Sequence, residues 1–111
     1  MLLFVSCGQQ HQAKDVIQQF VDQYAAEPSA RSSISIVKFD STKVINDSVI
    51  LAMRTNADTI QRYKKAIKYA DGNIGGKLYV ARITYTIYGA EYSDTYYLDD
   101  KLSRVIAFKS N

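Results

Sequence analysis

The chain has 111 residues, 47% of them hydrophobic, with one proline, five glycines, one cysteine and one histidine, and its 14 basic against 11 acidic side chains give a formal charge of +3. That length holds one modest core and not two, and the low Pro and Gly content excludes a linker-rich or disordered chain. A single cysteine excludes an intramolecular disulfide, no apolar run reaches the roughly 18 residues that span a bilayer, and without an arginine-rich stripe or known motif the mild basicity does not point to nucleic acid.

In chain order, the polar run Gly8 to Gln12, "GQQHQ", reads as a short flexible tether. From Gln9 to Ala26 the apolar residues Ala13, Val16, Ile17, Phe20, Val21 and Tyr24 recur at helical spacing, which predicts an amphipathic helix with a stripe shaped to cover a sheet. Pro28 disfavours helical geometry at Glu27 and ends it. "SISIVKF" (33–39) and "SVILAMR" (48–54) are β-branched, apolar and bounded by turn formers, so they read as the two strands of a hairpin. Asn56 or Asp58 then caps a second helix running to about Ala70 and ended by Gly72, with Ile60, Tyr63, Ala66 and Ile67 on one face and Arg62, Lys64, Lys65 and Lys68 on a solvated face.

After a turn at Gly75-Gly76, "KLYVARITYTIYG" alternates, with Tyr79, Ala81, Ile83, Tyr85 and Ile87 on one side and Leu78, Val80, Arg82, Thr84, Thr86 and Tyr88 on the other. Turn signals at Gly89–Glu91 and Asp99–Lys101 divide the remainder into "YSDTYYL" and "SRVIAFK", completing a three-stranded meander. The order is therefore α-β-β-α-β-β-β, an α+β fold in which a curved antiparallel sheet of about five strands is packed by the N-terminal helix. In element order such a chain resembles the cystatin-like and nuclear-transport-factor-2-like (NTF2-like) folds, with no diagnostic motif.

At the amino terminus an apolar run ends in Ser6-Cys7-Gly8. This is similar to the lipobox of bacterial lipoproteins, where a thiol receives a diacylglyceryl group and small neighbours admit the signal peptidase. The run before Cys7 is short and uncharged for an export signal. The resemblance implies that residues 1–8 are a signal remnant with Cys7 as the lipidation site, that residues 9–111 are the single domain, and that the membrane is a partner through the lipid. No acidic residue lies between Cys7 and Asp15, and by the same resemblance the periplasmic side of the outer membrane is the expected location.

No catalytic group is legible. His11 sits in the tether, where a general base has no fixed position. With Cys7 spent on lipid, no His/Cys metal site can be built. Asp94, Asp99 and Asp100 read as turn residues, and the remaining acids collect at turns and helix surfaces. No cofactor and no enzymatic activity are expected. Tyrosine is abundant, at 9 residues, and Tyr88, Tyr92 and Tyr96 form the candidate surface for an envelope protein or glycan. The expected function is a lipid-anchored, non-catalytic binding or interaction module, with a cystatin-like inhibitor or accessory subunit of an envelope enzyme as the alternative and an enzyme with an NTF2-like pocket as the third reading.

Overall fold

Helix α1 spans Leu2–Tyr24 in the computed structural model, which describes residues 2–69 and 76–111, residues 2–7 by their backbone alone. Its core stripe is the expected one: Ala13, Ile17 and Val21 are buried, with Val16 and Phe20 packed at the margin. The tether is not observed, because Gly8 to Gln12 continue the helix and two of their side chains fasten it to the domain. Gln9 Nε2 donates to the Tyr79 hydroxyl at 3.2 Å, and Gln12 Nε2 donates to the Leu102 and Lys101 carbonyls at 3.1 and 3.3 Å. At the other end Lys64 donates from its backbone N–H to the Tyr24 carbonyl (2.7 Å) and from Nζ to the Gln23 carbonyl (3.2 Å). Those bonds satisfy acceptors that a helix C-terminus leaves open and place a cation at the negative end of its dipole.

Strand β1 is Ser35–Thr42, but the expected second strand of a hairpin is a helix. Residues 48–54 lie within α2, Asp47–Ala57. Asn46 Oδ1 accepts from the Val49 N–H at 3.0 Å, an N-cap that satisfies a first-turn donor. Ile50, Met53 and Ala57 are buried at helical spacing, while Val49 and Leu51 are 40% and 57% exposed.

The expected second helix at 56–70 is absent. Asp58 ends α2 instead, and its carboxylate accepts from the Ala66 N–H at 3.0 Å. Residues 58–69 run through turns and one bridge between Tyr63 and Ala25, with Ala66 at φ +58, a conformation incompatible with an α-helix. The expected helix end at Ala70 to Gly72 and the first glycine of the Gly75-Gly76 turn lie outside the described residues.

Strands β2 (Leu78–Ile87), β3 (Ala90–Leu98) and β4 (Val105–Ser110) form the expected meander. With β1 paired antiparallel to β2, the result is one open four-stranded sheet in the order β1-β2-β3-β4. The class is α+β, and the element order among the described residues is α-β-α-β-β-β, with four strands where five were expected. The chain reverses between β2 and β3 at Tyr88 (φ +49) and Gly89 (φ +83), a two-residue turn whose paired positive φ angles match the twist of the strands it joins.

Helix α1 covers one face of the sheet over Ala81, Ile83, Tyr85, Tyr96, Leu98 and Phe108. Helix α2 packs on the opposite side at the β4 end, where Ile50 and Met53 meet Leu78, Tyr97, Ile106 and Ala107. Arg54 Nε donates to the Ile106 carbonyl at 2.8 Å, covering a backbone acceptor where the β3–β4 register shifts. The middle of this second face is left uncovered. Among the described residues no helix is long and apolar enough to cross a membrane.

Candidate functional site

The strand alternation of β3 puts Tyr92, Asp94, Tyr96 and Leu98 on the side facing α1. Asp94 is thus a mid-strand residue, not the turn residue its sequence neighbours suggested, and it is fully buried. A buried carboxylate is costly unless paired and hydrogen-bonded, and this one is both. Arg62 Nη2 reaches its Oδ1 at 2.8 Å, and its Oδ2 accepts from the hydroxyls of Tyr85 at 2.5 Å and Tyr63 at 2.7 Å.

The single hydroxyl proton of Tyr63 is committed to Asp94, so Tyr96 is the donor in the 2.7 Å contact between the two hydroxyls. Arg62 also donates to the Tyr85 hydroxyl (3.0 Å) and to Ser110 Oγ (2.9 Å). Arg62, expected on a solvated helix face, instead ties the irregular segment after α2 to the sheet.

Arg31 completes the cluster. Its guanidinium lies 4.6 Å and 4.5 Å from the ring centroids of Tyr63 and Tyr85 and donates to the Arg62 carbonyl at 2.6 Å. Its Nε and Nη1 are buried with no hydrogen-bond partner among the described residues, and the two aromatic faces supply the compensating attraction. Burial raises the pKa of Tyr63, Tyr85 and Tyr96, and the nearby carboxylate adds to it, so all three stay protonated donors. For Arg62, burial works against the charge, and the hydrogen bonds to Tyr85 and Asp94 with the charge of Asp94 outweigh it, raising its pKa.

The three candidate tyrosines do not share a surface. Tyr96 is core, stacked on Phe108 with centroids 5.0 Å apart. Tyr88 is 84% exposed at the hairpin tip. Tyr92 is half-buried, with the Arg62 guanidinium 4.5 Å from its ring. Tyr88 and Tyr92 do meet, in a cleft of about 230 Å³ that Arg31, Arg62, Gln61 and Ile87 also line.

Asp99 does sit in a turn. It accepts from the Ser103 N–H (2.7 Å), the Ser103 hydroxyl (2.6 Å) and the Arg104 N–H (3.1 Å), closing the β3–β4 connection. Its partial burial is outweighed by those bonds, and its pKa is lowered. His11 is exposed on α1, 3.5 Å from Asp15 one turn on. Among the described residues no group of His, Cys, Asp and Glu is placed to hold a metal ion.

The second candidate site is the uncovered sheet face. A groove of about 340 Å³ runs across it, floored by β-strand side chains and walled by the Asp40–Thr42 stretch, Ile45 and Asn111. Its central row is fixed by register: Lys38 pairs with Arg82, Arg82 with Thr95, and Thr95 with Lys109. Directly paired residues point to the same side of a sheet. The next row, Asp40, Val80, Tyr97 and Ala107, runs under α2 and Ile45.

Sequence reasoning missed both sites for the same reason. Asp94 and its cation are 32 residues apart, and the row of three cations takes one residue from each of three strands. The local signal was the alternation of "YSDTYYL", which puts Asp94 on the Tyr96 side of its strand. No family model, curated protein or solved structure matches the chain.

Proposed function

We propose that this protein is a lipid-anchored, non-catalytic binding module of a bacterial envelope, held at the membrane through Cys7 and presenting the uncovered face of its sheet. The observation that carries the reading is the contrast between that open groove and Asp94, a fully buried acid held by the hydroxyls of Tyr63 and Tyr85 and by Arg62. A general acid or base must come within hydrogen-bond reach of its substrate, and a carboxylate with no exposed surface is built to hold the fold. The binding partner on this reading is an envelope component, a protein or a glycan, met on the periplasmic side of the outer membrane.

The lipobox-like Ser6-Cys7-Gly8 supports the anchor. Gln9 and Gln12 fasten the start of α1 beside Tyr79 and Lys101, so a lipid on Cys7 would turn that end of the domain toward the bilayer. The exposed Lys77 and Lys101 at that end would then meet anionic headgroups. Tyr88 supports a second reading, an accessory or inhibitory subunit of an envelope enzyme. A bulky, exposed residue held at positive φ beside the cleft is strained, and strain of this kind gathers at functional positions.

Mass spectrometry of the protein recovered from the native host's membrane fraction tests the anchor. The expected result is a chain beginning at Cys7 with acyl groups on it, and release to the soluble fraction on Cys7→Ser. A soluble wild-type chain with an unmodified Cys7 overturns it.

A further inference from the structure

The groove on the uncovered face has an unusual charge pattern, and a backbone irregularity creates it. Strands β1 and β2 pair Ile36 with Ile83 and then Lys38 with Arg82, so Val37 is an extra residue, 56% exposed. An inserted residue reverses the alternation beyond it. Ile36 and Phe39 both pack on the α1 side, and Lys38 is turned to the other face, directly opposite Arg82. Like charges paired across strands destabilise a sheet, and Lys109 stands in the same row two strands away.

No ion pair among the described residues neutralises these charges. None of Lys38, Arg82 and Lys109 takes part in an ion pair among the described residues. The one acid lining the groove, Asp40, accepts from the Ser41 N–H at 2.8 Å. Two neutral polar groups of the groove are already matched: the Thr95 hydroxyl donates to Asn111 Oδ1 at 2.8 Å, and Asn111 Nδ2 donates to Ser93 Oγ at 2.9 Å. Three cations against one acid leave the groove with an excess of positive charge.

We infer that this groove is a binding site for a small ligand carrying at least two carboxylate or phosphate groups, one held between Lys38 and Arg82 and the other at Lys109. Neighbouring strands lie about 4.8 Å apart, so Lys38 and Arg82 can close on a single anionic group, and Lys109 stands roughly 10 Å beyond Arg82. Arg82 supplies the planar fork that such a group accepts in a bidentate manner. Val80 and Ile45 give the ligand an apolar wall at the α2 end. The volume of about 340 Å³ falls in the range of small-molecule sites. The inference names the ligand chemistry of the face that the binding-module reading uses, and it rests on that reading.

The test is titration of the isotope-labelled full chain at low ionic strength with inorganic pyrophosphate, with citrate and with maltose, following the backbone amides of β1 to β4. The expected result is saturable shifts around Lys38, Arg82, Thr95 and Lys109 with pyrophosphate or citrate, affinity that falls as salt is added, and a loss of about tenfold or more in Arg82→Gln. The stronger of the two anions identifies phosphate or carboxylate as the source. Arg82 is exposed, so the variant should fold, and an unchanged spectrum at the Asp94 cluster verifies it. Two anions that leave the groove unmoved, or bind equally well to Arg82→Gln, overturn the inference. Maltose shifting the groove while both anions fail would overturn it too, and would leave the face as a binding surface for a neutral ligand.

Discussion

The two faces of one four-stranded sheet treat charge in opposite ways. On the face under α1 the single carboxylate, Asp94, is matched by Arg62 and by the hydroxyls of Tyr63 and Tyr85, with Tyr96 bonded behind Tyr63. On the other face Lys38, Arg82 and Lys109 share a row with no acid paired to any of them among the described residues. The difference follows from water. An unbalanced charge is expensive where water is excluded and inexpensive where water can solvate it. The matched acid on the buried face therefore holds the fold, and the unpaired cations on the open face remain available to a ligand.

The sharpest way to break this comparison is to remove the buried acid. Asp94→Asn strips Arg62 of its counter-charge and should cost about 3 kcal/mol, the low end for a broken buried pair, because Arg62 keeps 20% of its side-chain surface exposed. Urea denaturation measures it, and a loss under about 1 kcal/mol would put Asp94 in the same class as the surface ion pairs.

A second effect, graded with pH, is expected from alkali. Burial raises the pKa of Tyr63, Tyr85 and Tyr96, and that of Tyr69 is pushed up to about 12. Unfolded tyrosines ionise near pH 10, so stability should be fully present below about pH 10 and should fall as pH rises from there through the folded values. Urea midpoints that stay level between about pH 9 and 12 would contradict the protonated network.

The smallest effect, and the one of opposite sign, belongs to the open face. Arg82→Thr removes a like-charge contact and inserts a residue suited to a strand, so it should stabilise the fold by a few tenths of a kcal/mol, at most about 1. A clear destabilisation would mean that Arg82 is a structural member of the sheet.

Much of the fold was legible because its signals are local. The stripe Ala13, Ile17 and Val21 and the alternation of β2 survive intact, since a periodic apolar pattern needs only one neighbour to cover it. The segments that misled were those in which two patterns coexist. In "SVILAMR" the β-branched Val49 and Ile50 favour a strand, while Ile50, Met53 and Ala57 share a helical face. The Asn46 cap and the apolar surface of Tyr97, Ile106 and Ala107 decide for the helix. In residues 58–69 the amphipathic pattern was genuine, but Tyr63 and Arg62 reach Asp94 only if the helix is given up, and the buried ion pair and its hydroxyls prevail over propensity.

The candidate sites were less legible than the fold. Tyr88 and Tyr92 were found together, Tyr96 went to the core, and the cations of the open face were not singled out. By itself the sequence determined the α+β class, the covering helix and the meander, all of which are written in neighbouring residues. Only the tertiary structure decided that Asp94 is buried, that α2 is a helix and that Lys38 faces Arg82. Each of those depends on which distant strand lies alongside and in what register, and one inserted residue, Val37, is enough to turn a side chain from the core to the open face.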